Sequence, residues 1–131
     1  MHRSRLTSAL FDVAAADYED EIAFWAGALG RTVWSDEEDP DYAEFAEPSS
    51  GLQLMVQRLG EETPARVHLD IESDDVEAEV RRLEDLGATR VEKIDTWWVM
   101  RDPAGLLFCV VRVQQPEEFE ANATEWDDPR D

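Results

Sequence analysis

The side chains with the most evident chemistry lie on one short stretch of the chain, from residue 66 to residue 72. Polar and apolar residues alternate there: one face would carry Val67, Leu69 and Ile71, and the other Arg66, His68, Asp70 and Glu72. This two-residue period is typical of a β-strand with one buried face. The opposite face is polar, so it can line a wet cavity and contact a ligand.

His68 has two interpretations. It is either a hydrogen-bonded histidine in the wall of a polar cavity, or a residue that contacts a ligand or acts as a general base. Asp70 follows on the same face, about 7 Å further along the strand, so a direct bond between the two is not assured. Acid–base chemistry requires a substrate that places a proton within reach of the ring.

Cys109 is the only cysteine of the chain, which excludes an intrachain disulfide. It is either a small buried apolar residue or a reactive thiolate.

Aromatic residues supply a second kind of contact. Trp97 and Trp98 are neighbours on one predicted strand, so one of them faces the cavity and the other faces away. The chain has five tryptophans in 131 residues, and core packing accounts for some of them. A tryptophan wall together with Met55 and the polar row from Arg66 to Glu72 favours a planar or cationic small molecule, bound by stacking and charge.

Composition excludes several classes of partner. The length of 131 residues, 43% of them hydrophobic, suits one domain with a core. The net charge of −20, from 12 basic and 32 acidic residues, argues against nucleic acid and anionic membranes as partners. No apolar run reaches the length of a membrane span, and no signal-type segment follows the N-terminus. With a single cysteine, these features favour a cytoplasmic protein.

The first half of the chain predicts one strand, one helix and three further strands. The first strand is expected over residues 6–14, and the helix from Asp17 to Leu29, with Gly30 at the left-handed position that ends many helices. The later strands are expected at 31–34, 42–46 and 52–59. Residues 35–41 carry five acids and are expected to form a solvated loop, and residues 48–51 a turn.

The second half, after a polar link at 60–64, predicts the same order of elements. Ser73 to Asp75 are expected to cap a helix that ends at Gly87, with Glu77 at the capping-box position for Asp74. Strands are expected at 89–94 and 97–101, followed by a turn at 102–105 that contains proline and glycine. Residues 106–113 are almost wholly apolar and predict a central strand.

The two halves repeat at a spacing of 57 residues, which relates Asp17 to Asp74 and Leu29-Gly30 to Leu86-Gly87. We therefore predict an α+β fold of two βαβββ modules, about 6–59 and 64–113, within a single domain over residues 1–115. Residues 116–131 form an acidic tail. It is expected to be partly disordered or to hold a loosely docked helix around residues 117–123.

These motifs resemble the vicinal-oxygen-chelate superfamily, which includes glyoxalase I, bleomycin-resistance proteins and extradiol dioxygenases. The resemblance covers about residues 6–113 and is closest to small glyoxalase-like domains. Three features in the right order carry it: the strand Val67 to Ile71, the helix 74–87 ending in Leu-Gly-Ala, and the strand entry Asp102-Pro103-Ala104-Gly105-Leu106-Leu107-Phe108-Cys109. It implies a cupped mixed sheet with the helices outside.

The resemblance also implies where a divalent metal would be held, because metal-binding members use four side chains that point into the cup. It places these positions at Leu10 (or Phe11), Met55 or Gln53, His68, and Cys109. Leucine and phenylalanine cannot ligate a metal, and a catalytic site requires three or more oxygen or imidazole ligands. We therefore expect no metal cofactor, and any metal that did bind would use His68, Gln53 and Cys109.

The first hypothesis for function is a metal-free protein that binds a small molecule for sequestration or resistance, as a homodimer. Its ligand would contact Gln53, Met55, Arg66, His68, Asp70, Trp97, Trp98 and Cys109. One alternative is a metal-dependent lyase or dioxygenase with an atypical site. Another is an accessory domain that binds a protein partner through its sheet or its acidic tail.

Overall fold

The computed structural model describes residues 1–46, 51–60 and 64–127. Over these ranges the chain forms a mixed sheet of nine strands with three α-helices, an α+β fold. The elements occur as two successive β-α-β-β-β groups, so the predicted fold class is confirmed. Packing divides the chain into two compact units. We call residues 8–68 the contiguous unit, and residues 1–7 together with those from 69 onwards the split unit.

The contiguous unit is a four-stranded sheet with one helix on one face. Its strands are ordered β2-β3-β4-β1, with β1 parallel to β4 and the other pairs antiparallel. Helix α1 packs on a buried core of Val13, Tyr18, Ala43, Phe45 and Val56. The elements are β1 (His2–Ala14), a 3-10 turn (Ala15–Asp17), α1 (Tyr18–Leu29), β2 (Val33–Asp36), β3 (Asp39–Phe45), β4 (Gln53–Leu59) and the start of β5 (Arg66–Ser73).

The split unit repeats this arrangement and adds the C-terminal segment. Its strands are ordered β5-β8-β7-β6, with β5 parallel to β8, and β9 pairs antiparallel with the start of β1. Helix α2 packs on a core of Val80, Met100 and Val110. The further elements are α2 (Val76–Asp85), β6 (Thr89–Ile94), β7 (Trp97–Arg101), β8 (Leu107–Arg112), α3 (Pro116–Asn122) and β9 (Thr124–Trp126).

Some predicted boundaries need correction. Strand β1 begins at His2 because its first residues pair with β9, a partner at the other end of the chain that no local pattern reveals. The acidic residues 35–41 do not form a loop, since Asp36 pairs with Asp39 in a hairpin of β2 and β3. The predicted turn at 48–51 and the link at 60–64 lie largely outside the described residues.

The caps of the two long helices differ from each other. Gly30 ends α1 in the left-handed conformation, at φ 65°, as predicted. The cap of α2 is Asp75 and not Asp74: the Asp75 carboxylate accepts a hydrogen bond from the Ala78 N–H at 3.1 Å. Asp74 instead accepts one from Arg3 Nε at 3.0 Å.

The C-terminal segment is packed on the split unit as far as it is described. Phe119 of α3 is buried. The Trp126 indole N–H donates to Ser4 Oγ at 2.9 Å, and the Arg82 guanidinium lies 3.8 Å from the centre of the Trp126 ring. Of the two predicted states of this segment, the helix is the one found over Pro116–Asn122.

None of the helices in the described part of the chain combines the length and the apolar composition needed to cross a bilayer.

Candidate functional site

The two faces of the sheet in the contiguous unit differ in character. Phe11 stacks on Trp25 of α1 with ring centroids 5.0 Å apart, so its side of β1 is the helix-covered face. Leu10 therefore lies on the other face, opposite Met55. We call this second face the polar face; by the strand registers it carries Ser8, Leu10, Asp12, Trp34, Tyr42, Glu44, Gln53, Met55 and Gln57.

Asp12 is a fully buried carboxylate on the polar face. Its Oδ2 atom accepts a hydrogen bond from His68 Nδ1 at 2.5 Å and another from Arg66 Nε at 3.2 Å. The exposed fraction of the side chain is 1% for Asp12, 12% for His68 and 47% for Arg66. Among the described residues no group donates to the other oxygen, Oδ1. A carboxylate–imidazole pair is thus held in a largely buried place, with an arginine at its exposed side.

The contacts of Asp12 fix the chemistry of His68. Two donors reach the same oxygen, as expected for a carboxylate, which only accepts hydrogen bonds. Nδ1 of His68 is therefore the donor in this bond, and in a neutral ring Nε2 would be the acceptor nitrogen. Proteins often orient a histidine that acts as a general base in this way, with a carboxylate that fixes its tautomer. Asp12 of β1 is a carboxylate partner of His68 that the sequence interpretation had not considered.

Further polar groups of this face are half-buried. Gln57 Nε2 donates to the Tyr42 hydroxyl at 2.8 Å. Burial raises the pKa of Glu44, while a hydrogen bond with Gln53 acts in the opposite direction. The predicted ligand contacts Gln53 and Met55 both lie on this face and are half-buried.

Asp70 and Cys109 are brought together in the split unit. They are direct partners in the β5–β8 ladder, and a carboxylate oxygen of Asp70 lies within 4.8 Å of Cys109 Sγ. Val99 pairs with Cys109, so Trp97, two residues before Val99, lies on the same face of the sheet.

Trp98 lies on the opposite face from Trp97, and this corrects its expected place in a ligand pocket. Its pairing partner is Val110, and it packs against the core under α2. The Arg90 guanidinium lies 4.9 Å from the centre of its ring. Trp98 is therefore a packing residue of the split unit, and Trp97 is the member of the pair on the face of Asp70 and Cys109.

The residues of the contiguous unit do not fit the metal set that the resemblance implies. Leu10 and Met55 are ladder partners at two of the four positions. A leucine has no donor atom, and a thioether is a soft ligand that suits copper(I) better than the ions held by oxygen and imidazole. His68 is the one strong ligand that this unit places at those positions.

Asp12 is the functional candidate that the sequence interpretation missed. It stands alone among apolar neighbours, in the run Leu10-Phe11-Asp12-Val13. A carboxylate in the middle of an apolar strand is costly to bury without a partner. That isolation was the available signal, although the strand pattern gives no indication that the partners come from residues 66 and 68.

Comparisons with known proteins agree with this fold. A sequence profile described as the glyoxalase-like domain matches residues 8–111. Methylmalonyl-CoA epimerase from Mycobacterium tuberculosis is 18% identical with a TM-score of 0.59, covering 86% of this chain and 89% of that chain. A glyoxalase/bleomycin resistance protein/dioxygenase superfamily member from Vibrio splendidus is 16% identical with a TM-score of 0.53, covering 81% and 97%. A hypothetical protein from Bacillus halodurans is 13% identical with a TM-score of 0.62, covering 86% and 96%.

The search of curated proteins returned no match at its significance threshold. At these identities the solved structures are evidence for the fold alone. The sequence profile, in contrast, covers most of the chain. The chain therefore belongs to the glyoxalase-like domain family.

Proposed function

We propose that this protein is a cytoplasmic small-molecule-binding member of the glyoxalase-like family, with its ligand held on the polar face against His68. The observation that carries the proposal is the buried Asp12–His68 pair with Arg66 beside it. Burying a charged group is unfavourable unless it is paired, and such arrangements concentrate at functional sites. If position 12 had only a packing role, an apolar residue would fill it without the cost of burying a charge.

The composition of the polar face supports a ligand of mixed character. Binding sites for small molecules combine apolar walls with a few polar groups that fix orientation. Met55 and Trp34 supply apolar and aromatic surface, and the side chain of Trp34 is largely exposed. Gln53 and Gln57 supply hydrogen-bonding groups. A planar compound that stacks on an aromatic ring and reaches His68 matches these groups.

Binding on the polar face is tested by protein-observed NMR with a panel of planar aromatic cations and small organic acids. We expect a binder to shift the backbone amides of Asp12, Met55 and His68. Met55→Trp fills the face and should abolish these shifts. Leu29→Trp is the matched control, because it adds the same bulk at an exposed position of α1. Shifts that survive Met55→Trp would place the ligand elsewhere and contradict the proposal.

We propose further that binding needs no metal, and this is tested by elemental analysis of the purified protein with His68→Ala as the control. The proposal predicts no stoichiometric metal, before or after incubation with Zn, Ni, Mn and Fe(II). A metal that is lost in His68→Ala would favour the alternative of a metal-dependent lyase or dioxygenase. The observation that supports this alternative is the short distance between Asp70 and Cys109 in the split unit, since both side chains can ligate a metal.

We also propose that the protein is a homodimer, as the family resemblance implies. Phe24 of α1 leaves 61% of its surface exposed, and a second copy of the chain would cover this ring. Sedimentation velocity decides the question: a single species of twice the chain mass supports a dimer, and a species of 15.0 kDa contradicts it.

A further inference from the structure

We infer that the outer side of helix α1 is a self-complementary docking surface, on which a second copy of the chain packs antiparallel about a two-fold axis. This surface deepens the proposed function, on which it rests, by naming the interface of the proposed homodimer. We call it the α1 face, and it consists of Asp20, Ala23, Phe24, Gly27, Ala28 and Arg31.

The spacing of residues in α1 separates an inner side from an outer one. Ile22, Trp25 and Ala26 pack on the buried core of the contiguous unit and form the inner side. The outer side carries positions that repeat at three- and four-residue intervals and point away from this core, and all of them are exposed: Asp20, Ala23, Phe24, Gly27 and Ala28. The contiguous unit therefore leaves this side of the helix open to a partner.

The outer side of α1 is apolar where a surface helix usually carries charged residues. Helix α2 shows the usual pattern, since its exposed residues are Glu77, Glu84 and Asp85. In α1 no charged residue occurs from Ile22 to Leu29. In a chain with 32 acidic residues, a copy of the same charge can approach such a stretch with less repulsion.

Phe24 is the large apolar residue of the α1 face, and 61% of its surface is exposed. Its ring meets the Trp25 ring edge to face, with the two centroids 5.1 Å apart. Phenylalanine is enriched in the buried centres of protein interfaces, and an aromatic side chain that fills a pocket can act as the anchor. Phe24 is suited to this role if the partner offers a space for its ring.

Gly27 supplies that space. It lies in the interior of α1, where glycine is destabilising relative to alanine. Its φ is not positive, and a side chain at this position would point into open space in the described part of the chain. Contacts within the described chain therefore give no reason for a glycine here, whereas the ring of a second copy would use the open space.

An antiparallel second copy matches these features pair by pair. A two-fold axis midway along the α1 face relates position 24 to position 27, and position 23 to position 28. Phe24 of each copy then enters the space beside Gly27 of the other copy. The small side chains of Ala23 and Ala28 allow the helix axes to approach to about 8 Å, the short end of the usual range. Each contact occurs twice, as in any two-fold interface.

The two ends of the α1 face carry opposite charges. Asp20 lies in the first turn of α1, and Arg31 follows the Gly30 cap, about 16 Å further along. Neither side chain forms a salt bridge within the described part of the chain. The antiparallel arrangement places each Arg31 beside Asp20 of the other copy, whereas a parallel arrangement would bring like charges together. Charge complementarity therefore favours the antiparallel second copy as the occupant.

The length of α1 limits the strength of this contact. Its 12 residues span about 18 Å, so the interface is smaller than the standard size and belongs to the weak class. We therefore expect a dissociation constant on the order of 10–100 μM, and a dimer fraction that rises with protein concentration.

Sedimentation equilibrium at protein concentrations from about 1 μM to about 1 mM, in about 0.15 M salt, measures the association. Phe24→Glu should weaken it by about 100-fold or more, because it removes the anchor and places two like charges near the axis. Leu86→Glu is the matched control, since Leu86 at the end of α2 is 67% exposed and undergoes the same kind of change. It should leave the association unchanged.

Gly27→Leu separates docking from folding. Leucine is a better helix former than glycine and would point into open space, so Tm of the variant should equal or exceed that of the wild type. The new side chain takes the space that Phe24 of the second copy needs, and the association should weaken by about tenfold or more.

Exchange of the end charges tests the antiparallel arrangement. Asp20→Arg and Arg31→Asp should each weaken the association by about three- to tenfold, because each replaces two attractive contacts by repulsive ones. The double variant should restore the wild-type affinity. A double variant that associates no better than the single ones overturns the antiparallel arrangement.

The outcomes distinguish this inference from the proposed function. A dimer that is unaffected by Phe24→Glu or by Gly27→Leu overturns the α1 face as the interface, and the homodimer proposal stands. A wild-type chain of 15.0 kDa at every concentration overturns both. In either case, NMR shifts of the Asp12, Met55 and His68 amides on addition of a compound would still support binding on the polar face.

Discussion

The buried carboxylates of Glu72 and Asp12 differ in how many of their oxygens accept hydrogen bonds. Glu72 of β5 accepts from Arg5 Nε at 2.6 Å and from the backbone N–H groups of Gln114 and Gln115 at 2.6 and 3.0 Å. Both of its oxygens have partners, whereas no described residue donates to Oδ1 of Asp12. Glu72 is accordingly a structural residue of the split unit, and Asp12 is the better candidate for function.

The structural role of Glu72 predicts a large loss of stability on substitution. Glu72→Ala should lower the free energy of unfolding by about 3–5 kcal/mol, because it leaves the buried Arg5 without its carboxylate. Urea unfolding measures this loss. Glu120→Ala is the matched control, since Glu120 also pairs with an arginine but is exposed. Equal effects of the two substitutions would contradict the assignment.

Glu79 of α2 predicts how stability depends on pH. Burial alone would raise its pKa, but hydrogen bonds with Arg82, Ser4 and His2 together outweigh burial and lower it. A carboxyl group whose pKa is lowered by folding stabilises the protein at pH values above its unfolded pKa of 4.5. This stabilisation is lost as the pH falls through the pKa of the folded protein. The stability difference between the wild type and Glu79→Gln should therefore be largest at neutral pH and shrink below pH 4.5. A difference that is constant with pH would contradict this.

At the scale of elements, the repeat and the hydrophobic periods predicted nearly all helices and strands. The strands Thr89–Ile94 and Trp97–Arg101 have the predicted bounds, because alternation and flanking turns are local properties. The errors arose where a distant partner decides the outcome, as for the start of β1 paired with β9. The same limit applies to the site: His68 was evident from its strand, but the Asp12 partner depends on tertiary contacts.

The cap of α2 gives a prediction at this scale. Asp75→Ala should cost about 1 kcal/mol, because it removes the acceptor for the Ala78 N–H. Hydrogen exchange of the first-turn amides of α2 is the direct measurement, and it should become faster. Asp74→Ala is the control, since Asp74 contacts Arg3 and not the helix amides. Faster exchange in Asp74→Ala alone would show that Asp74 is the capping residue, as the sequence predicted.

At the scale of the whole molecule, the net charge of −20 is large for a chain of 131 residues. Repulsion among the acidic groups works against the compact state. The distance over which charges interact falls from about 30 Å at 0.01 M salt to about 8 Å at 0.15 M. We therefore expect Tm, measured by circular dichroism, to rise over this range of sodium chloride. A fall in Tm would mean that the ion pairs outweigh the repulsion.

The division into units also bears on the order in which the protein forms during synthesis. The contiguous unit comprises residues 8–68, so all of its parts follow one another directly in synthesis. The split unit combines residues 1–7 with residues from 69 onwards, so the whole contiguous unit is synthesised between its two parts. The start of β1 pairs with β9, so this pairing forms only after residues 124–126 have been synthesised. Residues 2–4 of the nascent chain therefore lack their β9 partner until that point, and an unpaired strand of this kind is open to misassembly.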